Sequence, residues 1–207
     1  MTSKINSHYV LTAQDAFLIK THFVSHKDWN KAVFSSFKES LIEHLRKEQG
    51  NKCCYCKRTL GFDLKEVEIE HIIPKSEYEI FTFHTKNLAL SCPGCNVSKN
   101  AEDVLKVKIK RYPTTGKNFK IVHAYFDDYY DHIEIHSNSI YEGLDEKGLN
   151  TLSACKIYRL KDVLRRQREN DRQQGSVLAL LIQALTHATP EQQQDLNQAI
   201  ESIIMSK

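Results

Sequence analysis

Four of the six cysteines stand in two pairs, Cys53-x-x-Cys56 and Cys92-x-x-Cys95. Two residues between thiols let both sulfurs turn onto one ion, and two such pairs supply the closed tetrahedral set of a structural zinc site. Pro93 and Gly94 suit a tight knuckle, because proline pre-sets its φ and glycine tolerates a positive one. Disulfides are the alternative, but adjacent Cys53 and Cys54 are awkward to bridge separately. The first residues also lack the apolar run and cleavage site of a signal peptide. Buried thiols are common singly and rare as two spaced pairs. The 35 residues between the pairs exceed the roughly 15–20 of a zinc ribbon, so a substantial element is expected there. Cys54 and Cys155 read as small apolar residues in a reducing cytoplasm.

Between the pairs, Val67, Ile69 and Ile73 alternate as on a half-buried strand. Glu68 and Glu70 then share the other face, where two carboxylates repel unless a cation such as a metal ion is near. His71 follows directly. Neighbours on a regular strand point to opposite faces, so Glu70 and His71 can serve one site only if the strand end near Pro74 is distorted. After the second pair, Asn96-Val97-Ser98-Lys99-Asn100 reads as a helix start.

In order, Cys53-x-x-Cys56, Glu70-His71-Ile72-Ile73-Pro74-Lys75-Ser76, Asn87-Leu88 and Cys92-x-x-Cys95-Asn96-x-x-Lys99 closely resemble the HNH family of nucleases, over about residues 50–102. Each element alone is weak; four in the right order are specific. The resemblance implies a ββα-metal (His-Me finger) fold, a two-stranded hairpin followed by a helix around one catalytic divalent cation, clamped by the zinc knuckles. It implies that His71 is the general base and that Glu70 and Asn96 hold Mg2+ or another divalent ion. Asn87 resembles the residue that braces the loop of the base, and Lys99 the phosphate-facing lysine of many members. The departures are Glu70, where the family more often has Asp, and Asn96, a common alternative to the last His. Glu68, on the face of Glu70, is a second candidate ligand or a support for one. The chemistry suits phosphodiester hydrolysis: a histidine near its ordinary pKa of about 6.5 accepts a proton from water. Glu and Asn oxygens suit a hard ion, while thiolates keep zinc.

The surrounding elements must position these groups. Thr12 to Asp15 is expected to cap a short helix. Trp29, Val33, Phe34, Phe37, Leu41 and Leu45 follow helical spacing up to Gly50, a C-terminal cap. Val104 to Lys120 carries Lys106, Lys108, Lys110, Arg111, Lys117 and Lys120 with no acid. The alternation Lys106-Val107-Lys108-Ile109-Lys110 predicts one charged and one buried face, a phosphate-tracking surface. Residues 121–142 read as a hairpin with Ile133 and Ile135 facing Ile140 across Ser137-Asn138. The His and Asp residues of 123–136 have no recognised ligand spacing, and hydrogen-bonded structural roles are expected for them. From Asp145 on the pattern is helical. Lys156 to Arg172 holds seven bases, Arg165 and Arg166 among them, against three acids, with Ile157, Leu160, Val163 and Leu164 turned inward. Thr189-Pro190-Glu191-Gln192 is a helix-start signature.

Composition bounds the rest. A chain of 207 residues, 41% apolar and 27% charged, suits one domain with elaborations at roughly 100–200 residues per domain. The expected division is a helical region 1–49, a nuclease core with basic extension 50–120, and a hairpin with C-terminal helices 121–207. The longest apolar candidate, Val177 to Leu185, is broken by Gln183, so no membrane span is expected. The net charge of +3 averages over the two basic stretches. The expectation is an α+β, zinc-stabilised, metal-dependent endonuclease of the cytoplasm, acting on nucleic acid with DNA favoured over RNA. The other reading is a non-catalytic zinc module that binds nucleic acid or serves as an interaction subunit. The wider layout, with Tyr125-Phe126-Asp127-Asp128 and an Arg-rich tail, also resembles the small HNH proteins of Septu-type and retron-type bacterial defence systems. That resemblance implies an ATPase or sensor partner encoded nearby.

Overall fold

Thr12 and Asp15 start the first helix as a capping box. The Thr12 hydroxyl accepts from the Asp15 N–H at 3.1 Å and the Asp15 carboxylate accepts from the Thr12 N–H at 2.9 Å. The computed structural model describes residues 3–63, 65–136, 140–185 and 188–205. Helix α1 spans Ala13–His22. The apolar stretch from Trp29 does not open the second helix directly. It forms two short 3-10 turns, His26–Asn30 and Ala32–Phe34, before α2 begins at Ser35–Glu48. The reason is local: the Asp28 carboxylate takes the N–H groups of Val24 and Ser25 and the Lys31 ammonium, which competes with helical bonding. At the other end of α2, Gly50 has φ 59°. Asn51 N–H reaches the Arg46 carbonyl and Gly50 N–H the Lys47 carbonyl, the paired bonds of a Schellman cap.

Phe37, Leu41 and Leu45 of α2 are buried, as are Leu88, Ala89 and Leu90 of the strand the helix packs on. Gln49, just past α2, acts as a side-chain extension of the sheet: its Oε1 accepts from Leu90 N–H at 2.7 Å and its Nε2 donates to Leu90 O at 2.9 Å. Strand β1 (Glu68–His71) pairs antiparallel with β2 (Leu88–Ser91) in the register Glu68↔Ser91 to His71↔Leu88. Helix α3 (Pro93–Lys99) follows and packs on β1. This is the expected ββα unit in an α+β chain. Two local expectations are corrected. Asn96 does not open the helix; α3 starts at Pro93, which pre-sets φ and gives up no needed N–H, and ends where Asn100 turns to φ 44°. Gly94 sits inside that helix, and the positive φ belongs instead to Lys57 (φ 55°), beside the first pair.

The basic stretch 104–120 is not an alternating strand. Its regular pairing is one bridge, Leu105↔Phe119, and Val107 is exposed. Lys106 N–H to Asn118 O and Lys120 N–H to Val104 O close its ends, and between them Tyr112 turns inward, its hydroxyl donating to Lys86 O at 2.9 Å. Beyond it, β3 (Ile133–His136) pairs with β4 (Ile140–Gly143). The register sets Ile140 against His136 and Ile133 against Gly143, so Ile140 does not face Ile133 or Ile135, and it is exposed. The expected turn at Ser137-Asn138 lies outside the described residues. Asp145 caps α4 (Glu146–Ala154). Its Gly148 is obligatory, since a β-carbon there would lie 1.9 Å from the His132 carbonyl oxygen.

Packing divides the chain into two compact units, Met1–Tyr158 and Arg159–Lys207. The second holds α5 (Leu160–Leu185) packed on α6 (Pro190–Met205). Thr189 N–H donates to the Gln192 carboxamide at the expected start of α6. Val163, expected to turn inward, is 41% exposed. Among the described residues no helix is long and apolar enough to cross a membrane.

Candidate active site and zinc centre

The first cysteine pair lies on a turn closed by Lys57 N–H to Cys53 O, and the second brackets the first turn of α3. The sulfurs of Cys53, Cys56, Cys92 and Cys95 all lie within 4.8 Å of one another. Cys56 and Cys92 Sγ are 3.8 Å apart, and tetrahedral zinc with bonds of about 2.3 Å requires sulfur separations of about 3.8 Å. The four thiols therefore fit the ion and could hold it. Tyrosines from the later part of the first unit fasten the turn: Tyr129 donates to Tyr55 O at 2.8 Å and Tyr141 to Cys56 O at 2.7 Å.

Among the described residues β1 pairs with β2 alone. A cleft of about 820 Å3 is lined by Glu68, Ile69, Glu70 and His71 in succession and by Asn96 of α3. All four line it although Glu68 and Glu70 alternate with Ile69 and His71 along the strand. Glu68 and Glu70 point to α3, where each meets a residue three apart on the helix. Asn96 Nδ2 donates to the Glu68 carboxylate. A carboxylate only accepts, so the amide nitrogen faces Glu68 and Oδ1 is left for another partner. Lys99 Nζ lies 2.7 Å from Glu70 Oε1, which also accepts from the Tyr55 hydroxyl at 3.0 Å. Glu70 Oε2 makes no hydrogen bond among the described residues. Burial raises the Glu70 pKa above the usual carboxylate range, with the Lys99 charge pulling against it. One anchored oxygen, one unpaired oxygen and a turned amide oxygen suit a hard divalent ion, which takes one or two protein oxygens and keeps several waters.

His71 is buried with its ring edge-on to Trp29 at 4.5 Å. Its Nε2 lies 3.1 Å from the Thr82 carbonyl oxygen. A carbonyl accepts, so Nε2 carries the proton and Nδ1 carries the lone pair. Its pKa is not near the ordinary value expected for it: burial first, and then the Lys75 charge, push it down to about 3, so the imidazole is neutral. Asn87, fully buried, holds the loop that follows. Its Oδ1 accepts from Ile73 N–H at 2.7 Å and its Nδ2 donates to the carbonyls of Ile73 and Phe81.

Lys99, expected to face a phosphate, is enclosed instead. It is 1% exposed, and its ammonium is held by Glu70 and by the His71 carbonyl at 3.1 Å. The helical spacing that brings Asn96 to the cleft also carries Lys99 under the strand. Lys106 and Lys108 line a second groove of about 430 Å3, which shares Pro74 and Ala101 with the cleft. Lys110 and Arg111 are exposed outside both. Arg165 and Arg166 are exposed on α5 of the second unit. The His/Asp-rich stretch is largely structural: Asp127 takes the His123 N–H and the Lys147 ammonium, each at 2.7 Å. His136 lies between Glu134 and Glu142 on the exposed hairpin. Sequence reasoning passed over Tyr55, Trp29, Lys38 and Lys75, all in contact with or lining the site. Only Lys75 had a signal, its place inside the His71 motif.

Residues 53–102 match the HNH endonuclease family, and the ββα unit described above lies within them. The chain is 30% identical over 110 residues to the Septu protein PtuB of Bacillus thuringiensis. That match covers 53% of this chain and 38% of the relative. No solved structure matches the chain.

Proposed function

We propose that the chain is a metal-dependent HNH endonuclease that hydrolyses phosphodiester bonds of nucleic acid, with DNA as the favoured substrate. One observation carries the reading: His71, fixed in one tautomer by Thr82, shares a cleft with the unpaired oxygen of Glu70 and the turned amide of Asn96. Glu70 Oε2 and Asn96 Oδ1 would hold Mg2+ or a similar ion. When bound, that ion stabilises negative charge on the phosphate and on the departing oxygen. His71 Nδ1 takes a proton from water as the water oxygen bonds to phosphorus and the bond to the leaving sugar oxygen breaks. Thr82 keeps the ring turned for that transfer, and Trp29 limits its rotation. Lys99 and Tyr55 position Glu70, Glu68 positions Asn96, and Asn87 positions the loop of the base. The family resemblance favours a 5′-phosphate product. The four paired cysteines and one zinc ion would hold the frame.

The match to the Septu protein PtuB supports a role in a bacterial defence system, and the resemblance in layout implies an anti-phage effector of the cytoplasm beside an ATPase or sensor protein. That assignment rests on a match to 38% of the relative and on the resemblance in layout. Plasmid cleavage with Mg2+ tests the enzymatic reading. Wild type is expected to nick or linearise the plasmid and His71→Ala to lose nearly all activity, at least the 100-fold typical of a missing general base (about 10²–10⁴). Equal cutting by the two proteins overturns it in favour of a binding or interaction subunit.

A further inference from the structure

The lysine that the family pattern offers to the phosphate, Lys99, is walled in beneath Glu70. Two other ammonium groups line the cleft: Lys38 from α2, and Lys75 from the turn after β1. Both side chains are half-buried. Neither makes an ion pair among the described residues, whereas Lys31, Lys99, Lys120 and Lys147 each have a carboxylate within 2.9 Å. Lys38 Nζ stands 5.0 Å over the Trp29 ring, the same ring that packs on His71. The indole therefore fixes the cation and the imidazole together. Burial lowers both lysine pKa values, and at Lys38 the charge of Lys75 adds to the effect. Lys75 feels the attraction of Glu70 and the repulsion of Lys99, and Glu70 is already paired with Lys99, so an anion placed between Lys38 and Lys75 relieves both half-buried cations. The same cleft presents oxygen donors for a hard cation, so its two sets of groups complement a phosphodiester carrying a divalent ion.

We propose that Lys38 and Lys75 are the phosphate-binding residues of this cleft and grip the backbone of the nucleic-acid strand at the cleaved bond. The assignment rests on the nuclease reading above and fills the role that Lys99 leaves vacant. A strand held at Lys75 continues past Pro74 into the groove of Lys106 and Lys108, since Pro74 lines both.

The test is binding of a short labelled DNA duplex, in a His71→Ala background with Mg2+, between about 50 and about 200 mM salt. Lys38→Gln and Lys75→Gln keep most of each side-chain stem and remove the charge. Each is expected to lower the log–log salt slope by about one, or about fourfold less affinity lost over a fourfold rise in salt. Lys→Arg at either position is expected to retain the slope, which a merely structural role would not require. An unchanged slope in the Gln double variant, with an unchanged melting temperature and a parent chain that still cuts plasmid, overturns this assignment alone. A wild-type chain that neither binds nor cuts the duplex overturns the nuclease reading with it.

Discussion

At the scale of single residues the decisive contact is the ion pair between Lys99 and Glu70, at 2.7 Å with both side chains buried. Neither charge is stable there alone, because each has lost its water and keeps only its partner and a few hydrogen bonds. The pair also explains how a buried carboxylate can offer an oxygen: Lys99 and Tyr55 hold Oε1, and Oε2 has no hydrogen bond among the described residues. Lys99→Met should therefore act on folding before it acts on chemistry. It strands Glu70 and should destabilise the protein by about 3–5 kcal/mol, read as a fall in the denaturation midpoint. A lysine that only contacted substrate would leave the midpoint where it was, and that outcome would return Lys99 to the phosphate.

At the scale of elements, the loop that follows His71 at the end of β1 is held by a buried polar chain. Asn87 binds Ile73 and Phe81, the Tyr112 hydroxyl lies 3.2 Å from Asn87 Oδ1, and His123 Nε2 lies 2.9 Å from that hydroxyl. His123 Nδ1 accepts from the Tyr125 N–H, so the ring is the neutral tautomer with its proton on Nε2. Burial, and then the charge of Lys147, hold its pKa well below the ordinary histidine value. The sign of the linkage follows. The unfolded chain binds a proton at His123 below about pH 6.5 and the folded chain does not, so this stability is present above that pH and lost as pH falls below it. His123→Gln should flatten the acid limb of the stability curve, measured by denaturation at a series of pH values. An acid limb as steep as that of wild type would show that His123 is not the sensitive group.

At the scale of the whole molecule, the thiol centre joins the turn of Cys53–Cys56 to the start of α3, and the cleft lies between α2, β1 and α3. All groups assigned to hydrolysis lie in the first unit, Met1–Tyr158, while Arg165 and Arg166 belong to the second. Removing zinc should loosen both knuckles at once. One equivalent of zinc per chain is expected by metal analysis, and a strong chelator should lower the melting temperature in a way that added Mg2+ does not reverse, because thiolates select the softer ion. Reversal by Mg2+ alone would argue against a thiolate zinc frame.

Much of this was readable in the chain because it depends on residues a few positions apart. Cys-x-x-Cys pairs, the Thr12–Asp15 cap, the Gly50 stop and the Pro190 start are local in their physics, and the four motifs in order carried the ββα unit with Glu70, His71, Asn87 and Asn96. Local pattern misled where nearby polar groups overrode periodicity, as at Asp28 before α2, and in the basic stretch, where Val107 is exposed. Which lysine meets water, which carboxylate oxygen is spoken for and which nitrogen of His71 bears the proton were not in the sequence. Those outcomes depend on burial and on partners brought from distant elements: Trp29 and Lys38 from the N-terminal helices, Thr82 from the loop, and Lys99 from α3 beneath the strand. Electrostatic roles are set by desolvation, and desolvation is a property of the packed molecule.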